Sequence, residues 1–439
     1  MPSVPSFLPS CDPVVLQSCG LREGTPLDAI DGVQPGHVAE PVSPQALTEL
    51  LAGASRDGAS VVLRGGGTKL GWGRPPRPVD LVIGTRLLNR VLTHAYGDLT
   101  ATVEAGTPIR VLNEALRRHG QWLPIDAPFD EATVGGVIAA NDSGPLRHRH
   151  GTPRDLLIGV HLAMTDGRIV KAGGTVVKNV AGYDLGKLVS GSHGSLAAIV
   201  DATFKLAPLP GASTTVIAAF HEPGGLVQAV SAVSASQLEP TAFDVHVVAA
   251  SRKTSSAQAD RPTHSEGADT TYRVLIQFSS TPAAIDAQVE ELRRRMATAD
   301  SFTLLAGQEE ADAWRGQTQG VWESPGSVVR ASWLPANLPA VLSLLDELAG
   351  EQPLHLTARA GIGAGLIRIA GNITGCAAAI KGLRARPEVM GHVVVLRAEA
   401  AVKDQVDVWG PPGDHQALLG AVKRAFDPAG ILNAGRGPV

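Results

Sequence analysis

The chain has 439 residues, 44% of them hydrophobic and 18% charged, with a formal net charge of −4. That length can bury more than one core, so two or three domains are expected, and the charge offers no basic footprint for nucleic acid. No run approaches the roughly 18 apolar residues of a membrane span. Cys11, Cys19 and Cys376 are too few and too scattered for an iron–sulfur cluster or a disulfide framework, which fits a reducing cytoplasm.

Residues 1–33 hold prolines and both early cysteines but no basic or apolar leader pattern, and read as an N-terminal extension. From Pro41 the text becomes regular. "PVSPQALTELLAGASRDGASVVLRGGG" predicts a helix with Leu47, Leu50 and Leu51 on one face, then a strand that runs into Gly65, Gly66 and Gly67. "VDLVIGT" and "TATVEAGTPI" predict further strands, and "RVLNEALRRHG" a helix closed by Gly120. "LLIGVHLAM", "TDGR" and "IVKAGG" predict a hairpin turned at Asp166-Gly167. "PLPGAS" (208–213) breaks the pattern, which puts one domain at 34–208 and a second at 209–402. In the second, strands such as "TTVIAAF" and "YRVLIQF" alternate with helices such as "IDAQVEELRRRMATA", and the polar text of 251–271 reads as an exposed loop. Residues 403–439 form a closing segment, with a helix that sets Leu418, Leu419 and Val422 on one side.

The glycines of "VVLRGGGTKLGWG" (61–73) invite a phosphate-binding reading. A Walker loop is excluded because no "GK[ST]" opens a helix, and a dinucleotide fingerprint because "GRPPRP" cannot be the helix it requires. What remains is a nest of backbone N–H groups around an anion, aided by Thr68 and Lys69. A second cluster, "TVGGVIAANDSGPLRHRHG" (133–151), has backbone that something must approach closely, either a ligand or another element. The third, "KNVAGYDLGKLVSGSHGSLAAIVDATFKLAP" (178–208), combines a Gly-Tyr-Asp-Leu entry, a short helix, the loop "GSHGS" and an exit strand. Structural turns are the plain alternative for each cluster alone.

In order and spacing the three clusters resemble the vanillyl-alcohol-oxidase-type (PCMH-type) FAD-binding oxidoreductases over residues 35–208. With the closing "FDPAGILNAGR" they are most similar to the E-subunit family of FAD-binding glycolate oxidase chains. The resemblance implies an α+β fold, a split FAD-binding domain with a central α+β cap domain. It implies FAD as cofactor, with Gly65, Gly66, Gly67, Thr68 and Lys69 around the pyrophosphate. Thr133, Gly135, Gly136 and Ala139 would line the diphosphate and flavin path, and Asn141 and Ser143 would reach the flavin's polar edge. Gly191, Gly194 and Ser195 would lie against the cofactor, the Ile199 backbone near the adenine, and Asn433 near the isoalloxazine.

The same resemblance implies a small 2-hydroxy acid substrate and a complex with a catalytic FAD subunit and an iron–sulfur subunit. It places the chain in the cytoplasm, with a membrane met only through partners. A stand-alone 2-hydroxy-acid dehydrogenase is the alternative. Relatives that oxidise such acids carry an "HGHxGDGN"-like segment; here "LHLTARAGIGAGLIRIAGN" (354–372) offers only His355, and no metal site is expected. Arg359 in that stretch is a candidate acid contact or a surface arginine, and the run Arg147, His148, Arg149 and His150 reads as a solvated loop or as a carboxylate or partner contact. Asp184 is expected to fix loop geometry.

Overall fold

A computed structural model describes residues 7–176, 182–249, 271–349 and 352–438. The loop read at 251–271 therefore lies outside the described residues except for Thr271, as does the start of the third cluster, 178–181. The chain divides into two compact units, Met1–Leu209 with Pro411–Val439, and Pro210–Gly410.

The first unit opens with a short helix α1 (Pro13–Ser18), started by Asp12, whose carboxylate accepts the Val14 N–H at 2.8 Å. Strands β1 (Arg22–Glu23), β2 (His37–Ala39), β3 (Val61–Arg64) and β4 (Leu81–Gly84) make a sheet in the order β1-β2-β4-β3. Helix α2 (Pro44–Asp57) begins where the Ser43 hydroxyl accepts the Ala46 N–H and ends at Gly58 with φ 68°. Its Leu47, Leu50 and Leu51 are buried with Val61, Leu81 and Ile83 of this sheet. Leu8, Cys11, Leu16 and Cys19 belong to the same core, so the stretch that reads as an extension is built into the unit.

A second sheet follows the order β5-β6-β9-β7-β8, from β5 (Val91–Ala95), β6 (Thr100–Glu104), β7 (Leu157–Ala163), β8 (Ile169–Gly173) and β9 (Ala198–Lys205). The hairpin of β7 and β8 turns at Asp166-Gly167, where Gly167 takes φ 89°. Helices α3 (Ile109–Arg117) and α4 (Val134–Ala140) share a core with it through Leu112, Leu116, Val137, Ile138, Leu162 and Phe204.

The second unit is an eight-stranded antiparallel sheet of β10 (Ala212–Phe220), β11 (Ala242–Ala249), β12 (Thr271–Ser280), β13 (Ser301–Leu305), β14 (Ser327–Ser332), β15 (Leu354–Arg359), β16 (Ala364–Ile369) and β17 (His392–Arg397). Its spatial order is β13-β10-β12-β11-β15-β16-β14-β17. Alternate residues such as Val216, Val245, Val274, Leu356 and Ile367 point to one face, where α5 (Pro223–Ser234), α6 (Pro282–Arg295), α8 (Leu338–Leu348) and α9 (Ile373–Arg384) close the core; α7 (Gly307–Glu323) lies on the other face. The final helix, α10 (Gln416–Phe426), forms as its pattern predicts, but Leu418 is 67% exposed, so the apolar side read there is not buried in its unit. No helix among the described residues is long and apolar enough to cross a membrane.

Removing residues 1–20 would strip Leu8, Cys11, Leu16 and Cys19 from the first core. At about 1.5–3 kcal/mol for each large side chain, denaturant unfolding of the shortened chain should show a loss of several kcal/mol. An unchanged midpoint and slope would show the segment to be dispensable.

Candidate functional site

The strand β3 delivers Gly65, Gly66 and Gly67 against the start of α4. A Cβ on Gly65 would stand 2.2 Å from Thr133 Oγ1, and one on Gly66 would stand 1.8 Å from the Glu131 carbonyl oxygen. Part of the room that the glycines leave is thus filled by the protein's own second cluster. None of the backbone N–H groups from Gly65 to Lys69 donates to a protein acceptor among the described residues. A row of free successive N–H groups beside a strand end is the geometry of an anion nest.

Lys69 is held among three neighbours. Its Nζ lies 3.0 Å from Asp142 Oδ2, 5.7 Å from the Trp72 ring centre and 5.5 Å from that of Phe129. Its charge is therefore balanced by Asp142, a pairing across more than 70 residues that no local sequence signal marks.

The second and third clusters meet. Thr133 caps α4, its hydroxyl accepting the Gly136 N–H at 3.4 Å, and Gly135 packs on Ala105. At the other end Asn141 takes φ 45°, and Ser143 follows in the same loop. Gly191 N–H donates to the Ile138 carbonyl at 3.0 Å and His193 N–H to that of Ala139 at 2.8 Å. Gly194 has φ 70° with Asn433 Nδ2 only 3.2 Å from where a Cβ would be, so no other residue fits without strain.

The chain's end ties these loops together. Val61 N–H donates to the Ile431 carbonyl and Asn433 N–H to that of Val61, each at 2.8 Å, which lays the tail along β3. Asn433 Nδ2 donates to the His193 carbonyl, while its Oδ1 is buried without a partner among the described residues. Arg436 reaches the carbonyls of Leu70 and, at 2.7 Å, Trp72. Lys423 Nζ donates to Asp427 Oδ2 at 2.5 Å and to the Ser195 and Leu432 carbonyls at 2.8 Å each. The i, i+4 spacing of Lys423 and Asp427 on a helix was the sequence signal for that pair.

Ile199 lies in β9 opposite Leu162, beside a break in register at Asp201. Asp184 caps the short helix Leu185–Val189, accepting the Lys187 N–H at 3.0 Å, as loop geometry required. His148 and His150 are both shifted down, first by burial and then by the Arg149 charge. Arg359 is a correction: its guanidinium is buried 3.4 Å from the Asp244 carboxylate, so its charge is already matched and does not await an acid.

Comparison with known proteins agrees with this geometry. Residues 35–173 match the FAD binding domain model, and residues 412–436 the C-terminal domain model of FAD linked oxidases. The first unit carries an FAD-binding domain of the PCMH type, and its cofactor is FAD. The glycolate oxidase subunit GlcE of Escherichia coli is 34% identical over 45% of this chain and 55% of its own. GlcD of Bacillus subtilis is 31% identical over 48% and 45%. The chain thus spans about half the length of these two relatives. A D-lactate dehydrogenase of Archaeoglobus fulgidus is 26% identical over 94% of each chain. A solved alkyldihydroxyacetonephosphate synthase, 16% identical, shares the fold with a TM-score of 0.66 over 91% of this chain and 76% of its own.

The residues present fit the cofactor. The free N–H row of 65–69 suits a diphosphate, and the buried Asn433 Oδ1 awaits a donor that a flavin ring can supply. Lys69→Met should leave Asp142 as an uncompensated buried anion beside that row, so FAD titration by fluorescence quenching should show affinity weaker by about tenfold or more. Unchanged affinity would remove Lys69 from the cradle.

Proposed function

We propose that this chain is the FAD-binding subunit of a multi-subunit glycolate oxidase, contributing to the oxidation of glycolate to glyoxylate alongside a catalytic FAD subunit and an iron–sulfur subunit. The likeness to GlcE and GlcD supports the assembly, and electrons would leave through the partners. Placement is cytoplasmic, with any membrane met through those partners. The cradle residues Gly65 to Lys69, Thr133, Gly191 to Ser195 and Asn433 would hold and orient the cofactor. FAD, when bound, supplies the acceptor for the electron pair of a CH–OH carbon.

The observation that carries the subunit reading is His355. Burial first, then the Arg368 charge and His246, push it down to about 4. Such an imidazole is neutral at pH 7 but a poor acceptor for a hydroxyl proton, because general-base catalysis favours a pKa near the working pH. No group of three or more His, Cys, Asp or Glu among the described residues is arranged to hold a metal ion. The full-length likeness to a D-lactate dehydrogenase favours the second reading, a stand-alone 2-hydroxy-acid dehydrogenase.

The two readings part in one experiment. Purified chain mixed anaerobically with glycolate or D-lactate should bleach its flavin only slowly, and partner chains should restore turnover; heating should release FAD and not FMN. Rapid bleaching by either acid, in a preparation free of other flavoproteins, would establish the stand-alone enzyme instead.

A further inference from the structure

The face of the second unit's sheet that carries α7 is covered unevenly. Glu310, 4% exposed, anchors the start of α7 by accepting from Ser213 Oγ at 2.5 Å, Thr215 Oγ1 at 2.7 Å and Gln277 Nε2 at 3.0 Å. Farther along, Ala313, Gly316, Gln317 and Gly320 face the strands, and a cavity of ≈ 470 Å³ lies between. That volume is in the range of small-molecule sites, about 300–1,000 Å³.

Three features of the lining bear on what the cavity can hold. A Cβ on Gly316 or Gly320 would meet nothing within 4 Å. A glycine inside a helix costs about 1 kcal/mol relative to alanine, so two of them turned to one void sacrifice helix stability and keep the void open. Gln317 is 8% exposed, and its Nε2 has no partner among the described residues. A buried donor left in that state costs about 1–3 kcal/mol until an acceptor arrives.

The third feature is charge. In the strand registers His246 stands opposite Arg273 and His355 opposite Arg368, and all four line the cavity, whose wall includes no Asp or Glu among the described residues. Burial first, then the arginine charges, push His246 down to about 4, so both histidines are neutral at pH 7 and the cationic charge is that of the guanidiniums. Arg368 donates to the Pro325 carbonyl at 3.2 Å but meets no carboxylate in the wall. Ile217, Leu275 and Val321 supply the apolar part. With no carboxylate among the described lining residues, the two guanidiniums, Arg368 half-buried and Arg273 exposed, are best matched by a dianion, and planar forks match carboxylates.

We propose that the second unit binds a small aliphatic dicarboxylate in this cavity, its carboxylates on Arg273 and Arg368, an amide hydrogen bond from Gln317, and its carbon chain on Ile217, Leu275 and Val321. The cavity is formed by the second unit alone, so the site does not depend on the glycolate oxidase reading.

The test is titration calorimetry and thermal unfolding of the full FAD-loaded chain with succinate and glutarate, against butyrate and inorganic phosphate. One diacid should bind one to one and raise Tm, with butyrate and phosphate weaker by about tenfold or more. Arg368→Gln should lose the heat. Gly320→Leu should fill the cavity and lose it too, while ligand-free Tm stays at or above the wild-type value and flavin content is unchanged; if that variant does not fold, Arg368→Gln decides. No binding of either diacid, equal binding of phosphate, or binding unchanged in Arg368→Gln would overturn the site. Flavin absorbance recorded in the same samples keeps the two questions apart, because diacid binding without bleaching supports this site whatever the fate of the oxidase reading.

Discussion

The arrangement of the first unit depends on one buried carboxylate. Asp427 is 1% exposed and accepts the Lys423 ammonium together with the Ile431 and Leu432 N–H groups. A buried ion pair is stabilised only when its remaining hydrogen-bonding capacity is met. Here it is met by the Ser195 and Leu432 carbonyls, so the last helix, the tail and the third glycine loop must be in place together. The tail then extends β3 and fixes where the first glycine loop begins. Residues more than 200 positions apart in sequence thereby set one cofactor cradle.

Sequence made the local parts of this legible. Ser43 and Gly58 bound α2, the leucines at 47, 50 and 51 give its buried face, and Asp166-Gly167 turns the hairpin, because each signal acts within a few residues. The glycine clusters were visible as conformational freedom, but not what used it. Gly65 and Gly66 make room for Thr133 and Glu131 of the same chain, and that close approach is a long-range fact. The early cysteines misled for a related reason. Cys11 and Cys19 fall in irregular text, yet they pack in the core of the first sheet; burial first pushes the Cys11 thiol up to about 11, as befits a packing residue and not a reactive one.

The second unit hid its cavity from sequence reading in a different way. His246, Arg273, His355 and Arg368 come from four strands, and each alternates with core residues, so every strand reads as an ordinary half-buried one. The period-two pattern did contain the clue: the positions opposite the core on β11, β12, β15 and β16 include His246, Arg273, His355 and Arg368, beside the buried pair of Asp244 and Arg359. Arg359, the acid contact that this stretch of sequence suggests, is instead consumed by Asp244.

The two units therefore specify ligands by different physical means. In the first, contacts are made by backbone N–H groups whose positions follow from glycine geometry and the buried Asp427 pair, so side chains in the loop can vary while the glycines and the tail cannot. In the second, the fold supplies only a sheet face and a helix thinned by Gly316 and Gly320, and selectivity rests on a few side chains above a core that none of them enters. Exchanging Arg273 or Arg368 changes the charge of that cavity without touching the packing that holds the sheet, whereas any side chain added at Gly66 collides with backbone. Cofactor binding is on this account the rigid property of the chain, and recognition in the cavity the adjustable one.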